Sequence, residues 1–197
     1  PNIHKNTNPI DLYRFMYDLG QISSKKNILI TDAGSNYYIG GQAWRFERGQ
    51  VEIASTTNAA MGLSIPLAIG AAVAEPKSQI LAVTGDGSLE LNIQELKTIS
   101  HNKFNIKLFV INNGGYVSMH NWADSLFKGR RLDTAADTGD GTLNLKNIAK
   151  AFDLKHYLIN DVNSIKKDLK KILKDKKPLF VEVITDSRQK IFDAFKD

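Results

Sequence analysis

The sequence predicts an α/β fold, a three-layer α/β/α domain built on a mainly parallel sheet. Short, nearly continuous apolar runs recur at 27–32, 79–84, 106–111 and 179–185, the pattern of strands buried on both faces. Segments with helical length and periodicity separate them, and strand–helix alternation builds a parallel sheet covered on both sides. At 197 residues, 42% of them apolar, the chain can enclose its own core as one domain.

After Asn8-Pro9, "IDLYRFMYDLGQI" places apolar residues at helical spacing and reads as a capped amphipathic helix. "NILITD" is a short buried strand that runs into the small polar string "DAGSN", and "VEIAS" is a further strand candidate. "AAMGLSIPLAIGAAVAE" (59–75) reads as a helix of small residues suited to close packing on a sheet, with Pro66 needing a place near its first turn. "QILAVTGDG" and "IKLFVINNGG" are strands, with a helix over "LELNIQELKTIS" between them. "LNLKNIAKAF" and the lysine-rich "SIKKDLKKILKDKK" are helices, and "LFVEVIT" is the last strand. Residues 118–142 read as one long loop, a lid or interface segment.

The formal charge is +5, but the lysines of 164–177 surround an apolar stripe of Ile165, Leu169 and Ile172, a solvated amphipathic face. No aromatic or arginine platform is interleaved with them, so no nucleic-acid partner is expected. No stretch approaches the roughly 20 apolar residues that span a bilayer, so no membrane partner is expected either. Without cysteine, disulfides and thiolate metal sites are excluded, and a cytoplasmic setting is compatible. Beginning at Pro1 with no secretory leader, the sequence is expected to be a processed chain or a piece of something longer. His4, His101, His120 and His156 show no metal-ligand spacing and are read as surface or packing residues.

Three strand ends carry candidate chemistry: Gly34-Ser35-Asn36 after Asp32, Gly85-Asp86-Gly87-Ser88, and Asn113-Gly114-Gly115. In an open parallel sheet, ligands bind in the crevice beyond the carboxyl ends of the strands. Glycines let backbone N–H groups approach an anion, and a helix begun at Ser88 would aim its N-terminus there. Asp86 offers a hard anionic oxygen and Asn113 an amide oxygen; with a backbone carbonyl they suit Mg²⁺. Taken singly, each motif is an ordinary turn; their shared position at strand ends is what points to a site.

Other readings fail on detail. A dinucleotide-binding glycine pattern breaks at Glu90, and no Walker lysine follows a glycine-rich loop. "DTGDGTL" lacks the alternating ligands and closing glutamate of a calcium loop. There is no nucleophile elbow for serine hydrolysis.

Gly85-Asp86-Gly87, followed after 24 residues by Asn112-Asn113, resembles the thiamine-diphosphate motif. Together with "TDAGSNYYIGGQ", "AAMGLSIPLAIGAAVAEP" and "PLFVEVIT", it makes nearly the whole chain similar to the diphosphate-binding (PP) domain of thiamine-diphosphate enzymes. The similarity is nearest to the acetolactate synthase, pyruvate oxidase and benzoylformate decarboxylase group. The resemblance implies the thiamine-diphosphate-binding fold and two cofactors, thiamine diphosphate and Mg²⁺. It implies Asp86, the Asn113 side chain and the Gly115 carbonyl as metal ligands. Gly85, Gly87 and Ser88 would take one side of the diphosphate and Gly34, Ser35 and Asn36 the other. Met61 would support the bent cofactor, and Tyr116 would border the reacting centre.

The same resemblance implies an absence. In this family the glutamate that activates the aminopyrimidine belongs to a pyrimidine-binding domain, commonly across a subunit interface. No catalytic residue is therefore expected here, and Glu90 and Glu95 are poorly placed for that task. The expected protein is the C-terminal domain of an acetolactate synthase-like 2-oxo-acid decarboxylase or carboligase, a lyase or transferase, inactive by itself. Its partners would be a pyrimidine-binding domain of the same or another chain and a 2-oxo acid, in a homodimer or homotetramer. The alternatives are a natural small subunit of a split 2-oxo-acid decarboxylase and a non-catalytic diphosphate-binding module. "GGYVSMHNW" departs from the segment expected of acetolactate synthase proper, which puts the acetolactate product in question.

Overall fold

The computed structural model of the protein describes residues 5–134, 139 and 141–192. Its strands are β1 (Asn27–Ile30), β2 (Val51–Ile53), β3 (Gln79–Gly85), β4 (Ile106–Asn112), β5 (Lys155–Ile159) and β6 (Leu179–Ile184). They form a 6-stranded sheet in the order β2-β1-β3-β4-β6-β5, and every neighbouring pair is parallel. The helices are α1 (Leu12–Ile22), α2 (Gly34–Ala43), α3 (Ser64–Ala74), α4 (Asp86–Glu90), α5 (Leu96–Asn102), α6 (Val117–Leu126), α7 (Leu145–Ala151) and α8 (Ile165–Lys174).

Two apolar layers hold helices to the sheet, and side-chain alternation along each strand feeds both. On β4, Phe109 and Ile111 enter one cluster with residues of α1, α2 and α8. Leu108 and Val110 enter the other, with residues of α3, α5 and α7. Every residue of β3 and β4 except the last is buried, which explains why both read as unbroken apolar runs. The three-layer, parallel expectation therefore holds. No helix among the described residues is long and apolar enough to cross a membrane.

The chain passes from β1 to β2 on one side, then returns past β1 to β3 on the other. That reversal opens a crevice at the carboxyl ends of β1 and β3.

Several expected elements have different bounds. The cap of α1 is Asp11, whose carboxylate accepts from Arg14 N at 3.0 Å; Asn8 instead accepts from Val162 N at 2.9 Å. The helix expected over 59–75 begins only at Ser64, because Ala59 and Gly62 have φ of +42° and +79°, outside helical space. Pro66 then falls in the first turn, where its missing N–H is harmless. The helix expected over 89–100 is two pieces separated by a 3₁₀ turn at Ile93–Glu95. Much of the long loop expected at 118–142 is helix α6. The "DAGSN" string opens α2, and β5 was not anticipated at all. His4, and Asp137, Thr138 and Asp140 of "DTGDGTL", lie outside the described residues.

Lys107, fully buried on β4 at the opposite end from Asn112, donates from Nζ to Asn105 Oδ1 at 2.8 Å and to the Lys177 carbonyl at 2.6 Å. Burial lowers its pKa to about 8, with Asp175 opposing the shift and Lys176 adding to it. An unfolded lysine titrates near 10.5, so between those values the unfolded chain binds a proton that the folded chain does not. Stability from this group therefore rises with pH across the window, and the full burial penalty applies below about pH 8. Comparing wild type with Lys107→Met by chemical denaturation at pH 7.5 and 10.5 should show an extra rise in the wild type of at most about 3 kcal/mol. Parallel profiles would contradict the assignment.

Candidate functional site

Strand β3 lies between β1 and β4 with parallel register, so the three loops at their carboxyl ends meet. There they line one cleft of about 290 Å³. From the β1 end come Gly34, Ser35 and Asn36; from the turn before α3 comes Met61. Gly85, Asp86, Gly87 and Ser88 come from the β3 end, and Asn113, Gly115 and Tyr116 from the β4 end. All the residues expected to form a site are thus brought together, whereas Glu90 and Glu95 do not line the cleft.

Asp86 organises the floor. Its Oδ2 accepts from Gly114 N at 2.9 Å and from Gly115 N at 3.1 Å, and its Oδ1 accepts from Gly87 N at 3.0 Å. The two donors on the β4 loop depend on φ values of +79° and +121° at Gly114 and Gly115, which side-chain-bearing residues rarely adopt. Burial raises the Asp86 pKa, and the surrounding backbone N–H groups pull it part of the way back. An anion held in so little water favours a neighbouring cation.

The Asn113 carboxamide completes the floor. One of its terminal atoms lies 3.3 Å from Asp86 Oδ1 and 2.8 Å from the Gly115 carbonyl oxygen. With nitrogen turned that way, Asn113 donates to both. With oxygen turned that way, three oxygens converge, an arrangement that needs a cation at its centre. Adjacent ligands of an octahedral Mg²⁺, each about 2.1 Å from the ion, lie about 3 Å apart, so the spacing fits that ion. No cluster of three His, Cys, Asp or Glu side chains exists among the described residues. The donor set is hard oxygen from one carboxylate, one amide and one carbonyl, which suits Mg²⁺ rather than a softer metal.

The wall opposite is the first turn of α2, Gly34-Ser35-Asn36. First-turn N–H groups have no partner inside a helix, and a 10-residue helix presents a partial positive charge there. On the β3 side, α4 starts at Asp86 rather than at the expected Ser88 and spans only 5 residues. Gly87 has a steric duty: a Cβ there would fall within the ring of Tyr116, so that ring lies directly on the turn.

Sequence reasoning gave no role to Asp32, which is fully buried beneath the cleft. Its Oδ2 accepts from Ser88 Oγ at 2.7 Å and Thr84 Oγ1 at 2.9 Å. Its Oδ1 accepts from Ala33 N at 2.7 Å and Asn36 Nδ2 at 3.0 Å. Burial raises its pKa, while the donors from Ser88, Ala33, Thr84 and Ser64 oppose that rise. The apolar rim of Tyr38, Met119 and Trp122 was missed as well. The spacing of Met119, Trp122 and Leu126, at i, i+3 and i+7, was the available signal for α6. His120 is buried on α6, its Nε2 2.7 Å from the Thr134 carbonyl oxygen, while His156 pairs with Glu182 at 2.8 Å. Both are packing residues away from the cleft lining.

Residues 32–183 match the family described as thiamine pyrophosphate enzyme, C-terminal TPP binding domain. The chain is 30% identical over 190 residues to acetolactate synthase isozyme 1 large subunit of Escherichia coli (strain K12), covering 96% of this chain and 33% of that protein. It is 27% identical over 173 residues to the acetolactate synthase large subunit of Lactococcus lactis subsp. lactis (strain IL1403), covering 88% of this chain and 29% of that one. Acetolactate synthase 1, chloroplastic, of Zea mays is 26% identical over 189 residues, covering 91% and 30%. The chain therefore spans about a third of the length of these relatives. The protein belongs to the C-terminal TPP-binding domain family of thiamine pyrophosphate enzymes, and thiamine diphosphate with Mg²⁺ is the cofactor that this membership implies.

Proposed function

We propose that the chain supplies the diphosphate-and-Mg²⁺ half of the cofactor site in an acetolactate synthase-like 2-oxo-acid decarboxylase or carboligase. The observation that carries this reading is the convergence of Asp86, Asn113 and the Gly115 carbonyl at 2.8–3.3 Å beside the first turn of α2. When bound, thiamine diphosphate supplies an electron sink for decarboxylation of a 2-oxo acid. The protein's own residues bind and orient. Asp86, Asn113 and Gly115 hold the metal, and Gly34, Ser35 and Asn36 present their N–H groups to one side of the diphosphate. Gly85, Gly87 and Ser88 border its other side through the backbone. Met61, which lines the cleft, would support the cofactor's rings, and Tyr116, seated on Gly87, would border the reacting centre. The glutamate that would activate the aminopyrimidine comes from a pyrimidine-binding domain, in the same or another chain, within a homodimer or homotetramer.

In titration calorimetry, thiamine diphosphate with Mg²⁺ should give a saturable heat that is lost on chelating the metal and in Asp86→Ala. Equal heats for wild type and Asp86→Ala would remove the metal assignment. Supplied alone with cofactor and pyruvate, the chain should release no CO₂, and robust turnover would refute a site divided between domains. Gly87→Ala should drive the Tyr116 ring off the turn and lower stability by about 1–3 kcal/mol, the usual range for overpacking. An unchanged melting temperature would show that the ring moves without strain.

A further inference from the structure

We propose that the Ser88 hydroxyl does not serve the diphosphate but, together with the Asn92 carboxamide, clamps Gly62 and so positions Met61 against the bound cofactor. This rests on the thiamine-diphosphate reading above.

A serine hydroxyl has one proton to give. Ser88 gives it to Asp32 Oδ2 at 2.7 Å, and its oxygen accepts from Gly62 N at 2.9 Å. Nothing remains to donate to an anion, and a phosphate oxygen approaching Oγ would meet lone pairs. Asp32 is itself fixed by Thr84 Oγ1, Ala33 N and Asn36 Nδ2. The strut therefore runs from the end of β1, through the start of α4, to the turn before α3.

The other backbone group of Gly62 is held as well. Asn92 Nδ2 donates to the Gly62 carbonyl at 2.9 Å. Asn92 reaches it because the chain leaves helical geometry there, with φ −138° and ψ 32°; that break separates α4 from α5. Gly62 sits at φ +79°, and a Cβ there would come within 2.7 Å of Leu91 Cβ. With Ala59 at φ +42°, the turn carries two residues in a conformation that L side chains resist. Such a turn keeps its shape only when its surroundings over-determine it, and Ser88 and Asn92 supply that restraint. Met61, between the two, lines the cleft on this turn. Ser88 and Asn92 are thus positioning residues that act through Met61.

Two probes separate this role from direct anion binding: inorganic pyrophosphate with Mg²⁺, which shares only the diphosphate, and thiamine diphosphate with Mg²⁺. The full chain is titrated with each, alongside Ser88→Ala and Asn92→Ala. Both variants should bind thiamine diphosphate about fivefold to tenfold more weakly, the worth of one hydrogen bond, and bind pyrophosphate within about twofold of wild type. In a Met61→Ala background, the Asn92→Ala loss should vanish, since the coupling runs through that side chain. Equal loss of both probes in Ser88→Ala would overturn the proposal by making the hydroxyl an anion donor. Unchanged thiamine-diphosphate affinity in both variants, or an Asn92→Ala loss that persists without Met61, would overturn it too. Failure of the unmutated chain to bind either probe would instead overturn the underlying cofactor reading, and the clamp proposal with it.

Discussion

The site depends on one half-buried carboxylate with three backbone donors on one side and an acceptor-rich gap on the other. Asp86 takes three backbone N–H groups, from Gly87, Gly114 and Gly115, which fold two separate loops around it. Those bonds bring the β3 and β4 loops together before any ligand arrives. They also aim the Gly115 carbonyl and the Asn113 amide at the same small volume. Turned one way, the Asn113 amide nitrogen fills the gap and donates to Asp86 and the Gly115 carbonyl; turned the other, its oxygen faces acceptors and needs a cation between them. A rotation of one carboxamide separates the two orientations.

The sheet makes that arrangement possible. The reversal of strand order across β1 sets the first turn of α2 opposite the Asp86 floor. An anion entering the crevice therefore meets helix N–H groups on one side and the oxygen-rich Asp86 floor on the other. Beneath both lies the Asp32 network, which ties Thr84, Ser88 and Asn36 into one unit. Its burial is tolerable because both carboxylate oxygens accept hydrogen bonds, from Ala33, Asn36, Thr84 and Ser88, and an incomplete set would be worse than none.

Legibility in the sequence followed burial. β3 and β4 could be read from composition because both faces are apolar, and the Gly85-Asp86-Gly87 and Asn113-Gly114-Gly115 strings stood out at their ends. β5 could not, because at the sheet edge it carries Lys155, His156 and a half-exposed Leu158, with only Ile159 fully buried. α2 contains three glycines and two adjacent tyrosines, so its amphipathic signal is nearly absent; its stability comes from packing on α1. α6 looked like loop because it leaves Met119, Trp122 and Leu126 exposed, Trp122 by 60%, so its apolar residues do not form a core stripe. The break at Asn92 was invisible because the contact it permits, a hydrogen bond to Gly62 30 residues away, is tertiary. The role of Asp32 was illegible for the same reason: its donors Thr84 and Ser88 lie 52 and 56 residues away.

A crystal structure grown with Mn²⁺ and pyrophosphate, read by the anomalous signal of the metal in place of Mg²⁺, tests the Asp86 metal assignment. One peak should lie about 2.2 Å from the Asp86 carboxylate, the Asn113 Oδ1 and the Gly115 carbonyl, with the pyrophosphate between it and the first turn of α2. A metal bound elsewhere, or Asn113 still turning its nitrogen toward Asp86 at saturating Mn²⁺, would contradict it.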